Sequence, residues 1–183
     1  MKLIETGIAG LVIAESPVLG DERGTFTRVF CEREMASAIG DRVIRQSNVS
    51  STAAVGAVRG MHFQYPPRAE MKIVRCLVGR VFDAAVDLRR GSPTFLHWYG
   101  VELSPQSGRA FIIPEGCAHG FQVLEPDSRL LYFHTEFYAP EHEGGVRHDD
   151  PRVGIAWPLT PTRLSARDSG HPLLDENFLG VET

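Results

Sequence analysis

Short runs of apolar residues alternate with glycine, proline and polar clusters along most of the chain, which is typical of strands separated by turns. A helical pattern is confined to residues 32–39, and a helix of that length is too short to build a bundle. The pattern therefore predicts an all-β sandwich or barrel. The predicted strands are residues 11–14, 26–30, 44–50, 57–63, 71–78, 81–88, 98–103, 109–113, 119–124 and 129–136.

The sequence changes character after Tyr138, where it becomes rich in proline and charge. We expect this part to form an irregular extension wrapped over the barrel. The 183 residues, with 43% hydrophobic and 23% charged content, fall within the usual range for one domain with its own core. We therefore expect a single domain that spans residues 1–183.

The overall charge narrows the class of partner. A formal net charge of -4 gives no general attraction to nucleic acid or to an anionic membrane. Any phosphate group must then be held by local arginines. We expect a small-molecule partner, with no nucleic acid and no membrane.

The three cysteines, Cys31, Cys76 and Cys117, lie far apart and form no zinc-type cluster, so we expect reduced thiols. The N-terminal residues lack the features of a signal peptide. No stretch approaches the roughly 20 apolar residues of a membrane-spanning helix. These features together predict a cytoplasmic location.

Two segments have the spacing by which cupin barrels bring side chains to the centre of the barrel. In metal-binding cupins this frame supplies His-x-His, a Glu and a distal His as four ligands. The chain resembles that frame in RGMHFQ, EMKIVRC and PEGCAHGF, with His62 and His119 kept. Gln64 replaces the second His and Lys72 replaces the Glu. Because a lysine ammonium has no lone pair and repels cations, we expect no metal and no other cofactor.

The same residues favour proton transfer beside a carbonyl group. A cation at the barrel centre stabilises an oxyanion, while a neutral histidine nearby abstracts a carbon-bound proton and produces an enolate. A lone histidine in a barrel is more often a hydrogen-bonded core residue. The joint placement of His62, Lys72 and His119 favours a functional site, because polar groups that converge on an apolar interior need compensating partners.

Further strings resemble successive signatures of the dTDP-4-dehydrorhamnose 3,5-epimerase family over roughly residues 15–175. They are DERGTF, QSNVSS, RGMHFQYPP, FDAAVDLRRGSPTF, PEGCAHGFQVL, FYAPEHEGGVRHDDP, IAWPL and LSARD. The resemblance implies a cupin jelly-roll β-barrel with short peripheral helices, assembled as a homodimer. It also implies an isomerase that inverts C3 and C5, or C3 alone, of a dTDP-linked 4-keto-6-deoxy sugar.

The resemblance implies a role for each catalytic position. His62 would be the general base, oriented by Asp168. Lys72 would hold the enolate oxygen at C4, with His119 as a neighbouring donor. Tyr132 would return a proton from the opposite face of the sugar, as inversion requires.

The resemblance also implies a set of substrate-binding residues. Arg23 and Arg59 would bind the pyrophosphate, because the guanidinium fork matches phosphate oxygens. Tyr138 would stack on the nucleotide base. The other members of the set, which would make polar contacts, are Arg28, Gln46, Asn48, Glu143 and Arg167.

One supporting residue is left open by the sequence. Asp83 would support His119 as a carboxylate partner. Alternatively, it is a buried strand aspartate satisfied by backbone donors.

Several positions depart from the family pattern. Arg28 stands where the family usually has an acidic residue, which would weaken discrimination among nucleotide bases. Glu70 replaces a glutamine, and Arg167 replaces a lysine. Phe133 and then His134 follow the catalytic tyrosine in place of a lysine. We expect these changes at the nucleotide and sugar periphery, so they bear on the substrate rather than on the reaction type.

Three other functions remain as alternatives. A related keto-isomerase or a 3-epimerase would act on another nucleotide sugar. A metal-dependent cupin oxygenase would need the ligands that Gln64 and Lys72 replace. A binding module without chemistry would be favoured if a catalytic position were missing. All four positions are present, namely His62, Lys72, Tyr132 and Asp168.

Overall fold

The computed structural model describes residues 1–183 and consists of strands with two short helices. The strands are β1 (Lys2–Glu5), β2 (Val12–Glu15), β3 (Val18–Asp21), β4 (Gly24–Thr27), β5 (Gln46–Thr52), β6 (Val58–Gln64), β7 (Lys72–Val78), β8 (Val81–Asp87), β9 (Trp98–Leu103), β10 (Arg109–Ile113), β11 (Cys117–Val123), β12 (Ser128–His134) and β13 (Glu143–Gly145). The helices are α1 (Glu32–Ile39) and α2 (Ala166–Gly170), and a 3₁₀ turn lies at Pro140–His142.

Two antiparallel sheets pack face to face and form the barrel. One sheet has six strands in the order β1-β2-β10-β7-β12-β5, and the other has five in the order β13-β6-β11-β8-β9. Apolar side chains from both sheets, among them Val74, Phe111 and Phe121, form the main core between them. This arrangement confirms the predicted all-β jelly-roll barrel.

Strand register brings the predicted chemistry together at the barrel interior. His62 of β6 lies opposite His119 of β11 in the five-stranded sheet. Lys72 of β7 lies opposite His134 of β12 in the six-stranded sheet. Because side chains on one face recur every second residue, Tyr132 and His134 share the same face of β12.

A hairpin formed by β3 and β4 stands apart from both sheets. Its side chains Leu19 and Phe26 are 59% and 69% exposed, respectively. The predicted strand at 26–30 is wrong in most of its length, because the chain leaves the strand after Thr27 and turns into α1. The hairpin therefore presents apolar side chains that its own barrel does not cover.

The cysteines, the helices and the C-terminal tail bear on the remaining expectations from the sequence. The three cysteines are unpaired, as predicted. No helix combines the length and the apolar character that crossing a membrane requires. The tail after Tyr138 is largely irregular, as predicted, but it also contains β13 and α2.

Candidate active site

A pocket of about 230 Å³ opens between the two sheets. Four of the five predicted catalytic side chains line it: His62, Lys72, His119 and Tyr132. The fifth, Asp168, does not line the pocket but contacts the side chain of His62. The predicted catalytic residues are therefore brought together in one place.

His62 is held by Asp168 at the start of α2. Nε2 of His62 lies 2.9 Å from Oδ1 of Asp168, and the backbone N–H of Gly60 donates to Oδ2. Burial opposes ionisation of Asp168, but hydrogen bonds from His62 and Gly60 outweigh it and hold the pKa of the carboxyl well below its usual range. The carboxylate therefore accepts a hydrogen bond from the N–H at Nε2, which leaves the lone pair of the ring on Nδ1.

Helix α2 is short, and its first turn is fixed by a cap. Oγ of Ser165 accepts a hydrogen bond from the backbone N–H of Asp168 at 3.0 Å. Serine is a favoured N-cap because its hydroxyl satisfies a helix N–H that has no other partner. The cap thus fixes the position of Asp168, which lies more than a hundred positions from His62 in the sequence but contacts it in the folded chain.

Arg167 brings a positive charge beside the same histidine. Its Nη2 lies 3.1 Å from Nε2 of His62, and its Nη1 donates to Oε2 of Glu143 at 2.8 Å. Because Nε2 already donates to Asp168, it cannot accept from the guanidinium, and the contact is electrostatic. Arg167 therefore connects Glu143 with the edge of the His62 ring.

Lys72 connects the two sheets inside the pocket. Its Nζ donates to the backbone oxygen of His62 at 3.1 Å and lies 3.2 Å from Oε1 of Glu70. An ammonium has three N–H groups, and these contacts use two of them. One N–H therefore remains for a ligand in the pocket.

His119 is supported by a buried carboxylate. Its Nε2 lies 2.6 Å from Oδ1 of Asp83, which is fully buried. Burial raises the pKa of Asp83, against the opposing charges of His119 and Lys72. Oδ2 of Asp83 has no hydrogen-bond partner, so the alternative of an aspartate satisfied by backbone donors is wrong.

Tyr132 faces His119 from the opposite sheet. Their ring centroids lie 6.0 Å apart with an interplanar angle of 72°. The Tyr132 hydroxyl lies 3.3 Å from Oγ of Ser50. Burial raises the pKa of the Tyr132 phenol, and the negative charge of Asp83 adds to this effect. The resting phenol is therefore protonated and can act as a proton donor.

The predicted binding residues fall into two groups, and five of them line the pocket: Asn48, Arg59, Tyr138, Glu143 and Arg167. The Tyr138 hydroxyl donates to Oε2 of Glu143 at 3.2 Å. Arg59 is exposed and its side chain makes no hydrogen bond or ion pair within the chain, so its guanidinium is available to an anion. Gln46 does not line the pocket, because its side-chain oxygen accepts from the backbone N–H of Tyr138 at 3.1 Å.

Arg23 and Arg28 do not reach the pocket of their own chain, contrary to expectation. Arg23 lies in the turn of the β3–β4 hairpin, where its Nη2 pairs with Asp21 at 2.5 Å. Arg28 pairs with Glu34 of α1. The physical reason is that the hairpin does not fold back over the barrel that carries it.

Gln64, at the position of a cupin metal ligand, is also absent from the pocket wall. Its Oε1 accepts from the backbone N–H of Ala139 at 2.7 Å, and its Nε2 donates to the carbonyls of Arg68 and Phe137. These three hydrogen bonds connect the backbone segments around Arg68 and Phe137. Gln64 therefore has a structural role.

Two pocket residues were expected only at the periphery. Glu70 and His134 line the pocket beside Lys72 and Tyr132. Nδ1 of His134 lies 2.8 Å from Oε2 of Glu70, and its Nε2 lies 3.3 Å from Nδ2 of Asn48. The signal in the sequence is the spacing of two, since Glu70 precedes Lys72 and His134 follows Tyr132 by two residues.

The chain is similar to known proteins over nearly its whole length. The family model for dTDP-4-dehydrorhamnose 3,5-epimerase matches residues 5–176. The dTDP-4-dehydrorhamnose 3,5-epimerase of Salmonella typhimurium is 42% identical over 180 residues, covering 98% of each chain. The dTDP-4-dehydrorhamnose 3-epimerase of Streptomyces niveus is 38% identical over 177 residues, covering 96% of this chain and 85% of the relative.

Among solved structures, the dTDP-6-deoxy-D-glucose-3,5-epimerase of Legionella pneumophila Philadelphia 1 superposes with a TM-score of 0.91 at 38% identity. The match covers 100% of this chain and 98% of the other. That crystal structure is a complex with dTDP-4-keto-L-rhamnose. The similarity therefore extends over the whole barrel, including the irregular C-terminal part.

Proposed function

The chain belongs to the dTDP-4-dehydrorhamnose 3,5-epimerase family, and from that premise we propose that it inverts C3 and C5 of a dTDP-linked 4-keto-6-deoxyhexose. The resemblance seen in the sequence is confirmed, and the chain is an isomerase. The observation that supports the residue roles is the placement of His62 and Tyr132 on facing sheets of one pocket, with Lys72 between the sheets.

In the first step, Nδ1 of His62 takes the proton from the carbon beside the ketone. The electron pair of that C–H bond moves into the ring carbon and the C4 carbonyl, which becomes an enolate. The free N–H of Lys72 stabilises the negative oxygen, with His119 as the neighbouring donor. The ionised Asp168 stabilises the imidazolium that forms.

In the second step, the Tyr132 hydroxyl gives its proton to the opposite face of the same carbon, and the enolate returns to the ketone. One C–H bond is broken and one is formed, so no oxidant or reductant is consumed. The imidazolium and the tyrosinate then recover their neutral forms by proton exchange with solvent. Inversion follows because His62 and Tyr132 lie on strands of the two different sheets and approach the sugar from opposite walls of the pocket.

The remaining pocket residues fit a nucleoside diphosphate. The unpaired guanidinium of Arg59 suits the diphosphate. Tyr138, held through its backbone by Gln46, offers a ring for the base. Asn48 and Glu143 offer polar contacts.

A single inversion at C3 is the second candidate, because one relative at 38% identity is named a 3-epimerase. Incubation with dTDP-4-keto-6-deoxyglucose, followed by proton NMR of the product, separates the two. Inversion at both carbons supports the double epimerase, whereas a product that keeps its original C5 configuration makes this protein a 3-epimerase. A product with the ketone at another carbon would contradict both.

A homodimer is part of the proposal, and it rests on the β3–β4 hairpin. An isolated two-stranded hairpin is marginally stable in water, and this one exposes Leu19 and Phe26. A second copy of the chain would cover these side chains and receive Arg23 and Arg28 near its own pocket. The two arginines would then bind substrate across the interface.

We predict that Phe26→Asp weakens this dimer, because a carboxylate cannot be buried in an apolar contact without cost. Sedimentation velocity measures the change, with the parent expected to sediment as a dimer and the variant to dissociate on dilution. Leu179→Asp, at a position that is 63% exposed in the C-terminal tail, is the matched control. A parent protein that sediments as a monomer would overturn the proposal.

We predict that activity survives EDTA. Lys72 carries a positive charge where a metal ligand would stand, and Gln64 is committed to three backbone groups. Turnover measured before and after chelation and dialysis is therefore expected to be equal. Loss of activity in EDTA that is restored by a transition metal would instead favour a metal-dependent mechanism.

A cytoplasmic location is also proposed. The three cysteines are unpaired, and free thiols are the usual state in a reducing compartment. Cell fractionation with an antibody against the protein tests this, and recovery outside the cytoplasm would contradict it.

A further inference from the structure

Three ionisable side chains, Lys72, Glu70 and His134, are in contact along one wall of the pocket beside Tyr132. Glu70 lies between the other two, with its Oε1 at 3.2 Å from Nζ of Lys72 and its Oε2 at 2.8 Å from Nδ1 of His134. The side chains of Glu70 and His134 are only 8% and 11% exposed. The Tyr132 and His134 rings are stacked, with centroids 5.9 Å apart and an interplanar angle of 18°. The steps proposed for His62 and Tyr132 do not use this pair.

The protonation state of the pair follows from its contacts. Burial opposes ionisation of Glu70, but the hydrogen bond from His134 and the charge of Lys72 outweigh it and hold the pKa of Glu70 below its usual range. The carboxylate is an acceptor, so Nδ1 of His134 carries a proton. Nε2 then accepts from Nδ2 of Asn48 while the ring is neutral.

When Lys72 and Glu70 are both ionised, the net charge of the three side chains Lys72, Glu70 and His134 depends on the protonation of His134. With a neutral ring, the charges of Lys72 and Glu70 cancel. With a protonated ring, Glu70 is shared between two cations and the group carries one net positive charge. Histidine is the side chain that changes charge between about pH 5 and 8. Protonation of His134 would therefore make this pocket wall more positive.

We propose that Glu70 and His134 are positioning residues that set how much positive charge Lys72 presents to the substrate oxygen. The inference rests on the proposed function, because it concerns the enolate formed beside the C4 ketone. More charge on this wall stabilises the enolate, so proton abstraction is favoured when His134 is protonated. Neither residue needs to touch the substrate for this effect.

Other charged groups face the same pocket, and their effects on the pH dependence must be distinguished from that of His134. Arg59, His62 and His119 face it from the five-stranded sheet, and Glu143 and Arg167 lie in the wall formed by the C-terminal part. Two of these groups, His62 and His119, are histidines as well. The pH profile of the parent protein alone would therefore not isolate His134.

The test compares the rate of deuterium incorporation beside the ketone in the parent and in His134→Gln, as a function of pH. Glutamine keeps polar character but does not titrate. Requirements common to both proteins, such as a neutral His62, cancel in the ratio of rates. The ratio of parent to variant is expected to be largest at low pH and to fall on the order of tenfold as the pH rises from about 5 to 8, the range in which histidine side chains change charge.

A ratio that stays constant with pH would overturn the proposal, because a purely structural role predicts that result. His97→Gln, with an exposed ring outside the pocket, is the matched control and is expected to give a constant ratio. If the parent protein incorporates no deuterium at all, the proposed function fails instead. The two failures are thus distinguishable.

A second measurement does not depend on activity. The His134 ring is followed by NMR during a pH titration of the parent and of Glu70→Gln. Removing the carboxylate takes away the group that favours the imidazolium, so His134 is expected to titrate at lower pH in the variant. An unchanged titration would show that Glu70 and His134 are not coupled, and it would overturn the proposal even if His134→Gln does not fold.

Discussion

Replacing His62 by alanine is expected to stop deuterium incorporation at both carbons beside the ketone, lowering the exchange rate by about a thousandfold. The reason is that the first proton transfer has no other base with the same support. Nε2 of His62 is committed to the ionised Asp168, so Nδ1 carries the lone pair. Exchange is measured by proton NMR of the 4-keto sugar nucleotide in D2O.

Two controls separate loss of the base from loss of the fold. His97→Ala removes an exposed histidine outside the pocket and is expected to exchange at the parent rate. Affinity for TDP, measured by calorimetry, is expected to be similar in His62→Ala and the parent, because the imidazole is assigned to the sugar end of the pocket. Exchange at the parent rate in His62→Ala would show that another group is the base.

Replacing Tyr132 by phenylalanine is expected to separate exchange from inversion. His62 can still remove a proton and return one on the same face, so deuterium enters while the original configuration is kept. The yield of inverted product is expected to fall about a hundredfold, because the opposite wall has lost its proton donor. Because burial raises the pKa of the Tyr132 phenol, the hydroxyl stays protonated until it transfers its proton to the enolate.

The matched control is Tyr99→Phe. Tyr99 lies on β9 with its ring 6.2 Å from that of Phe111 in the core, and it does not line the pocket. It is expected to leave both exchange and inversion unchanged. Parent yields of inverted product from Tyr132→Phe would mean that water or a different side chain supplies the second proton.

The sequence predicted most of the barrel because its strands are local patterns. Strands β9 and β10 have the predicted bounds, and α1 begins and ends where its pattern does. β1 and the β3–β4 hairpin were missed. β1 is short and is defined by pairing with β2, which is a tertiary contact rather than a local signal.

The sequence also predicted that His62, Lys72, His119 and Tyr132 lie close together, and all four line one pocket. The contact between His62 and Asp168 agrees with the expected support of the base. These residues belong to motifs whose spacing is tied to the barrel frame. Their catalytic roles stay predictions until the variants are measured.

The placements that the sequence did not predict depend on strand register or on the position of the β3–β4 hairpin. Glu70 and His134 meet because β7 and β12 pair with Lys72 opposite His134, and no local pattern encodes that register. Arg23 and Arg28 lie away from the pocket because the β3–β4 hairpin is separate from both sheets, and no local pattern in the sequence encodes that placement.

The most direct measurement of the central claim is proton NMR of dTDP-4-keto-6-deoxyglucose incubated with the parent protein in D2O. The proposed mechanism takes each proton from the substrate on one face and returns one from solvent on the other. It therefore predicts one deuterium at C3 and one at C5, with both centres inverted and the ketone still at C4. A sugar that keeps its protons at both carbons, or a product whose ketone has moved, would contradict it.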